Sequence, residues 1–237
     1  MLWYNEGNLD KGFLSLKDHN QQGIQLMQEG KYEEAAESFN KAIEDNPNDA
    51  VAFANFGNLL TAVGHSEKAV GFYEKAIGLD DRVAAAYYGA GNAYYNLEQF
   101  DEAIQMYESA LEKGLKVADA YFMLGMSHIQ RQEEDKALGY FGQAVDLNED
   151  DAEAQFQFGL CLANSGKVEE AIPHFEKTIG ENPEHADACY NLGVAYAYKD
   201  RAEDALMMFE KALKAQPDHV LAANGKRNVI QLLSQDD

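Results

Sequence analysis

Glycine recurs at residues 23, 57, 91, 125, 159 and 193, and every gap is 34 residues. The same step carries Ala35, Ala69, Ala103, Ala137, Ala171 and Ala205, then an aromatic series of Phe39, Tyr73, Tyr107, Phe141, Phe175 and Phe209. A fourth column reads Ala42, Ala76, Ala110, Ala144, Thr178 and Ala212, and Pro47, Pro183 and Pro217 mark a fifth. A fixed period of this length means that one supersecondary unit is repeated, each copy burying its apolar face against its neighbours. The units run 16–49, 50–83, 84–117, 118–151, 152–185 and 186–219, and positions below are counted from the start of each.

Within a unit, positions 4, 7, 8 and 11 (Phe53, Phe56, Gly57 and Leu60 in the second) follow the i, i+3, i+4, i+7 spacing of an amphipathic helix, helix A. Positions 20, 24 and 27 repeat the pattern as helix B, after a break marked by Gly30, Gly64 and Gly166 in three of the units. Glycine at 8 and alanine at 20 and 27 let the two helices approach closely, with the aromatic at 24 filling the next layer. An all-α solenoid of stacked antiparallel helix pairs follows.

These columns resemble the tetratricopeptide repeat family, whose 34-residue unit carries small residues at 8, 20 and 27, an aromatic at 24 and often proline at 32. The resemblance covers residues 16–219; position 4 departs from the family's tryptophan, holding His19, Phe53, Tyr87, Tyr121, Gln155 and Cys189. It implies a right-handed superhelix whose concave face is lined by A helices at positions 2, 5, 6, 9, 12 and 13. Residues 220–237 lose the repeat columns and are expected to form a capping helix with a polar outer side. Residues 1–15 hold Leu2, Trp3, Tyr4, Phe13 and Leu14 and are expected either to cap the first repeat or to contact a second molecule.

Charge narrows the partners. With 19 Lys+Arg against 41 Asp+Glu the net charge is −22, which repels phosphate backbones and anionic lipid over most of the surface. Neither nucleic acid nor membrane is expected as a partner. Two cysteines argue against a disulfide framework and for a reducing, cytoplasmic setting. No leader-like basic and apolar run opens the sequence, and no apolar stretch reaches membrane-spanning length.

Chemistry-bearing motifs are scarce. The six histidines form no HExxH, and there is no Cys-x-x-Cys, so no metal or cofactor is expected. Cys161 and Cys189 sit about 9 Å apart along the axes of adjacent A helices, too far for a bridge, and read as buried small hydrophobes. Gly89 and Gly91 lie inside a helix, and Gly166-Lys167 is followed by Val168 rather than Ser or Thr, so neither forms a phosphate loop. Catalysis is not expected.

On the implied inner face, position 5 presents Tyr88, Phe122, Phe156 and Tyr190 in four consecutive units. They are either shelves for partner side chains or packing against the neighbouring helix. Tyr95, Met126 and Tyr198 enlarge the same surface. Amides accompany them at Asn55, Asn58, Asn92, Asn96, Gln130, Asn164 and Asn191; each offers a donor and an acceptor to a peptide backbone, or else merely solvates its helix. Position 2 carries Asp119, Glu153 and Asp187 in the last three units, either as first-turn acids favouring the helix dipole or as a ladder for Lys and Arg of a ligand. The units containing Asp119 and Glu153 hold net charges of −6 and −4, the fourth unit being the most acidic. The cationic clamp by which related domains grip chaperone tails is missing, since position 5 is mostly aromatic and position 6 has no arginine. The expected function is a non-catalytic scaffold binding a basic or amphipathic segment of a protein, with self-association into a homodimer as the alternative.

Overall fold

Residues 18–234 are described by a computed structural model and contain thirteen α-helices. Their contacts divide into two units, the first ending at Glu98 and the second starting at Gln99. The first holds α1 (His19–Gln28), α2 (Tyr32–Asp45), α3 (Ala50–Ala62), α4 (Ser66–Leu79) and α5 (Ala84–Asn96). The second holds α6 (Phe100–Glu112), α7 (Ala118–Gln130), α8 (Glu134–Leu147), α9 (Ala152–Asn164), α10 (Val168–Glu181), α11 (Ala186–Tyr198), α12 (Ala202–Ala215) and α13 (Val220–Leu233). In sequence register this is an all-α array of six helix-turn-helix repeats and a C-terminal capping helix. Residues 1–15 lie outside the described residues, as does the end of the tail from residue 235.

Helix pairs form because the small and aromatic columns interlock. A Cβ added at position 8 would fall against the position-24 ring of the same repeat: 2.6 Å from Phe39 at Gly23, 2.7 Å from Tyr73 at Gly57, 2.6 Å from Phe141 at Gly125, 2.9 Å from Phe175 at Gly159 and 2.8 Å from Phe209 at Gly193. The aromatic therefore occupies the space that glycine vacates, rather than the layer beyond it. Ala35, Ala69, Ala103, Ala137, Ala171 and Ala205 are fully buried, as close approach of two helices requires.

The turn between helices A and B uses a left-handed residue at position 15 throughout. Gly30, Gly64 and Gly166 have φ of 74°, 80° and 79°, but Glu98, Gln132 and Asp200 adopt φ of 59°, 60° and 56° without glycine's freedom. A turn signal was thus present in only three of the six repeats, although the backbone conformation is shared by all.

Two columns escape the sequence reading because alanine and other small residues are common in any helical chain. Position 3 (Ala52, Ala86, Ala120, Ala154 and Ala188) is fully buried, and position 10 (Leu59, Ala93, Ser127, Cys161 and Ala195) nearly so. Both continue into α13 as Ala222 and Val229. The C-terminal helix therefore keeps part of the repeat register, correcting the expectation that all columns end at 219. A Cβ at Gly225 would lie 2.7 Å from Phe209, and Lys226 pairs with Glu210 at 2.9 Å, so α13 docks on α12 as the next A helix would. Its outer side is mixed rather than wholly polar: Val220, Leu221, Ile230 and Leu232 are 46–69% exposed alongside exposed Asn224, Arg227, Asn228 and Gln231.

Candidate functional site

A helices touch one another at α1 with α3 and α3 with α5 in the first unit, and at α9 with α11 and α11 with α13 in the second. Side chains 34 or 35 residues apart can therefore share a wall. The Nδ2 of Asn55, at position 6 of the second repeat, donates to Oδ1 of Asn20 at position 5 of the first, at 3.0 Å. One turn further along α3, Oδ1 of Asn58 accepts from the Tyr73 hydroxyl at 2.8 Å. Burial pushes that phenol up to about 12, so it keeps its proton and donates. Asn55 and Asn58 line a cleft of about 220 Å³ together with Ile24, Met27, Gln28 and Phe39. In the same unit Tyr88, Asn92 and Tyr95 are half-buried on α5, and Asn96 is exposed beside a hollow of about 230 Å³ that also includes His65 and Leu97.

In the second unit the position-5 aromatics rest on the position-24 rings. Phe122 and Phe141 have centroids 5.7 Å apart, Phe156 and Phe175 6.1 Å, and Tyr190 and Phe209 5.9 Å. Phe156 is only 7% exposed, so it belongs to the core and offers almost nothing to a partner; this corrects its place among the candidate contacts. Its second face is covered by His185, with centroids 4.4 Å apart. Phe122 and Tyr190 remain half-buried and keep some accessible ring. Met126 packs beside Phe122 against Phe141 and Cys161.

The carboxylate column is exposed on all three helices, but only Asp119 has no ion pair or hydrogen bond among the described residues. Asp187 accepts from Nε2 of His219 at 3.1 Å, and Glu153 lies 3.9 Å from Nε2 of His185. These two histidines, at position 34, also close the next A helix: Nδ1 of His185 accepts from the Ala188 N–H at 3.2 Å and Nδ1 of His219 from Ala222 at 3.1 Å. With Nδ1 acting as acceptor, the ring proton sits on Nε2 and faces the acid. Glu153 also accepts from Nε2 of Gln157 at 2.8 Å, so both carboxylates have partners within the chain. The signal for this was a cap column at position 34 (Asp49, Asp151, His185 and His219), masked because histidine is an unusual capping residue.

Of the remaining amides, Asn191 donates to the Asp187 carbonyl on its own helix at 2.8 Å, and Asn164 reaches Glu134 at 3.5 Å. Gln130 and Tyr198 are exposed at the C-terminal ends of α7 and α11, Tyr198 at 70%. Cys161 and Cys189 are buried free thiols, and burial pushes Cys161 up to about 11 and Cys189 in the same direction. Among the described residues no group of three or more His, Cys, Asp and Glu side chains is placed to hold a metal ion, and no helix is long and apolar enough to cross a membrane. A hollow of about 660 Å³ lies at the turns between helices B and A around Asp49 and Asp80, away from the candidate contacts.

Family models of the tetratricopeptide repeat match residues 55–114, 88–152, 122–186 and 162–228, and a TPR repeat model matches 23–64. The chain belongs to the tetratricopeptide repeat family. It is 49% identical to a solved structure described as "YrrB: a TPR protein with an unusual peptide-binding site", which covers 81% of this chain and 99% of that one with a TM-score of 0.74. The TPR repeat-containing protein YrrB of Bacillus subtilis (strain 168) is 58% identical over 41 residues, spanning 17% of this chain and only 20% of that relative. A crystal structure of MamA is 26% identical over 68% of this chain and 94% of its own, with a TM-score of 0.63. Pseudomonas aeruginosa pilF shares the fold, with a TM-score of 0.78, at 19% identity over 89% of this chain and 96% of its own.

Proposed function

We propose that this protein is a non-catalytic interaction scaffold that holds a basic or amphipathic segment of a partner protein along its A-helix face. The observation that carries this reading is the exposed acidic column of Asp119, Glu153 and Asp187, flanked by the half-buried rings of Phe122 and Tyr190. Among the described residues Asp119 has no ion-pair or hydrogen-bond partner, which makes it the anchor for a lysine or arginine; Glu153, bonded to Gln157 on its own helix, and Asp187, bonded to His219, add field. The likeness to a TPR protein described as having a peptide-binding site supports the same use of the fold. Cationic side chains would also find the aromatic faces favourable. Affinity then comes from ring burial, and charge sets sign and encounter rate.

The test is fluorescence anisotropy with a labelled lysine- and arginine-containing amphipathic peptide over a salt series. Asp119→Lys with Glu153→Lys should weaken binding about tenfold or more and flatten the salt slope, since each exposed pair is worth up to about 1 kcal/mol and reversal adds repulsion. Phe122→Ala should weaken binding with an unchanged slope. Unaltered affinity and slope in the double reversal would remove the ionic part of the proposal.

Self-association has its own support in α13, where Leu221 and Leu232 stand three turns apart on one exposed stripe. On this reading, light scattering at rising concentration gives a dimer that Leu221→Glu with Leu232→Glu converts to monomer. A chain that stays monomeric at every concentration rejects it.

A further inference from the structure

The fifth repeat departs from the second at three neighbouring positions. Positions 4, 22 and 23 are Gln155, Pro173 and His174, where the second repeat has Phe53, Gly71 and Phe72. Phe53 and Phe72 pack with centroids 6.1 Å apart, and Phe72 meets Phe56 at 4.6 Å. His174 takes the equivalent seat, 4.7 Å from Phe158, but a hydrogen bond of 2.6 Å to Gln155 replaces the aromatic pair. Gln155 is only 4% exposed. Putting a polar pair where two rings would pack costs stability, and such local losses are retained where the polar groups have a use.

What the pair creates is a fixed acceptor. Nε2 of Gln155 donates to the Glu149 carbonyl at 2.7 Å, so its Oε1 faces Nδ1 of His174 and the ring proton sits there. The lone pair is then on Nε2, which has no partner among the described residues and is open to solvent. Burial holds the imidazole pKa below its usual value, so at neutral pH the ring is uncharged and accepts. His174 lines a hollow of about 560 Å³ on α8 and α10, together with Asp146, Glu149 and Lys177 and with exposed Leu147 and Pro173. Among the described residues the Asp146 and Glu149 carboxylates make no ion pair or hydrogen bond, whereas Lys177 is taken by Asp150 at 2.6 Å. The free groups therefore only accept. No three His, Cys, Asp or Glu side chains among the described residues are placed to hold a metal ion, which leaves an organic cation. A guanidinium is planar, weakly hydrated and donates through five N–H groups, so it serves separated acceptors that a compact ammonium does not. We propose that this hollow binds the guanidinium of an arginine in a partner protein, donating to Nε2 of His174 and to the carboxylates of Asp146 and Glu149, with its methylene stem on Leu147 and Pro173. Leu147 is 52% exposed, apolar surface that residues flanking the arginine cover and a free small guanidine does not. No residue of the acidic column takes part.

The test is an NMR titration of the full chain at neutral pH with N-acetyl-arginine N′-methylamide, observing the His174 ring, the Gln155 side-chain amide and the Leu147 methyls. All three should shift saturably, with affinity at least about threefold above that of the lysine counterpart, the worth of one further hydrogen bond. A blocked leucine–arginine–leucine tripeptide should bind about threefold or more tighter than propylguanidine, because its leucines cover Leu147. Glu149→Gln keeps the carbonyl that holds Gln155 and should weaken the arginine probe about three- to fivefold. Gln155→Phe with His174→Phe rebuilds the pair of the second repeat, so arginine affinity should fall about tenfold or more while the melting temperature rises. Should that double variant melt lower than the parent, Glu149→Gln decides, since it leaves the core pair in place. Equal affinities for the arginine and lysine probes, propylguanidine binding as tightly as the tripeptide, or undiminished arginine binding in Glu149→Gln or in a folded double variant would overturn the proposal.

Discussion

Gly125→Leu is expected to abolish cooperative packing of α7 on α8, lowering stability by about 3 kcal/mol or more. The first carbon alone is already too much: a Cβ at residue 125 would stand 2.6, 2.7 and 2.9 Å from three ring carbons of Phe141. That ring is fully buried, rests against Phe122 and cannot swing into solvent, so relief requires the helices to separate. Gly125→Ala removes the entropic penalty of glycine in a helix, worth up to about 1 kcal/mol, yet overpacking of about 1–3 kcal/mol should still leave it destabilised. Gly139→Ala provides the opposite control. It lies on the exposed side of α8 with nothing within 4 Å of the added Cβ, so it should stabilise by about 0.5–1 kcal/mol. Thermal or urea unfolding of the three variants checks the signs. Equal responses at 125 and 139 would mean that the glycine column reflects composition and not helix spacing.

This contrast explains what could be read in the sequence. Columns at positions 8, 20, 24 and 27 are legible because close helix approach tolerates few residue types, so each repeat must spell them again. The face of helix A was only half legible. Phe156 and Tyr190 look alike in sequence, yet Phe156 is buried by the His185 ring while Tyr190 stays half-buried beside His219. Nothing in the spacing says how far a ring at position 5 is covered, because that depends on the residue at position 34 and on how the next helix is capped. The same holds for the carboxylates: Asp119 and Asp187 occupy equivalent positions, but only Asp187 meets a histidine. Amide orientation is likewise invisible until Asn20 and Tyr73 are seen to fix it. On α13, the sequence discloses an amphipathic helix but not that Leu221 and Leu232 face outward, because position 6 had to be recognised as glycine's place against the preceding aromatic, as Gly225 is against Phe209.

Phe209→Ala should cost about 3–5 kcal/mol, and its effect should be confined to the C-terminal helices. The ring is 2% exposed and wedged between Gly193 on α11 and Gly225 on α13, each so near that a Cβ would fall 2.8 or 2.7 Å from it. The glycines on both sides bring no side chain of their own to fill the space, so much of the vacated volume persists as a cavity. Tyr190, whose ring is 5.9 Å from Phe209 and 5.2 Å from His219, loses its support as well, which ties the damage to the proposed binding face. A repeat array transmits stability through nearest-neighbour contacts, so amides of α11, α12 and α13 should lose hydrogen-exchange protection while those of α7 and α8 keep theirs. Binding of the basic peptide should weaken less than in the Asp119→Lys, Glu153→Lys variant, because Asp119 and Phe122 sit on the retained helices. Loss of protection spread evenly over α7 to α13 would show that this unit unfolds as one cooperative block, and the wedge at Phe209 would then have no local meaning.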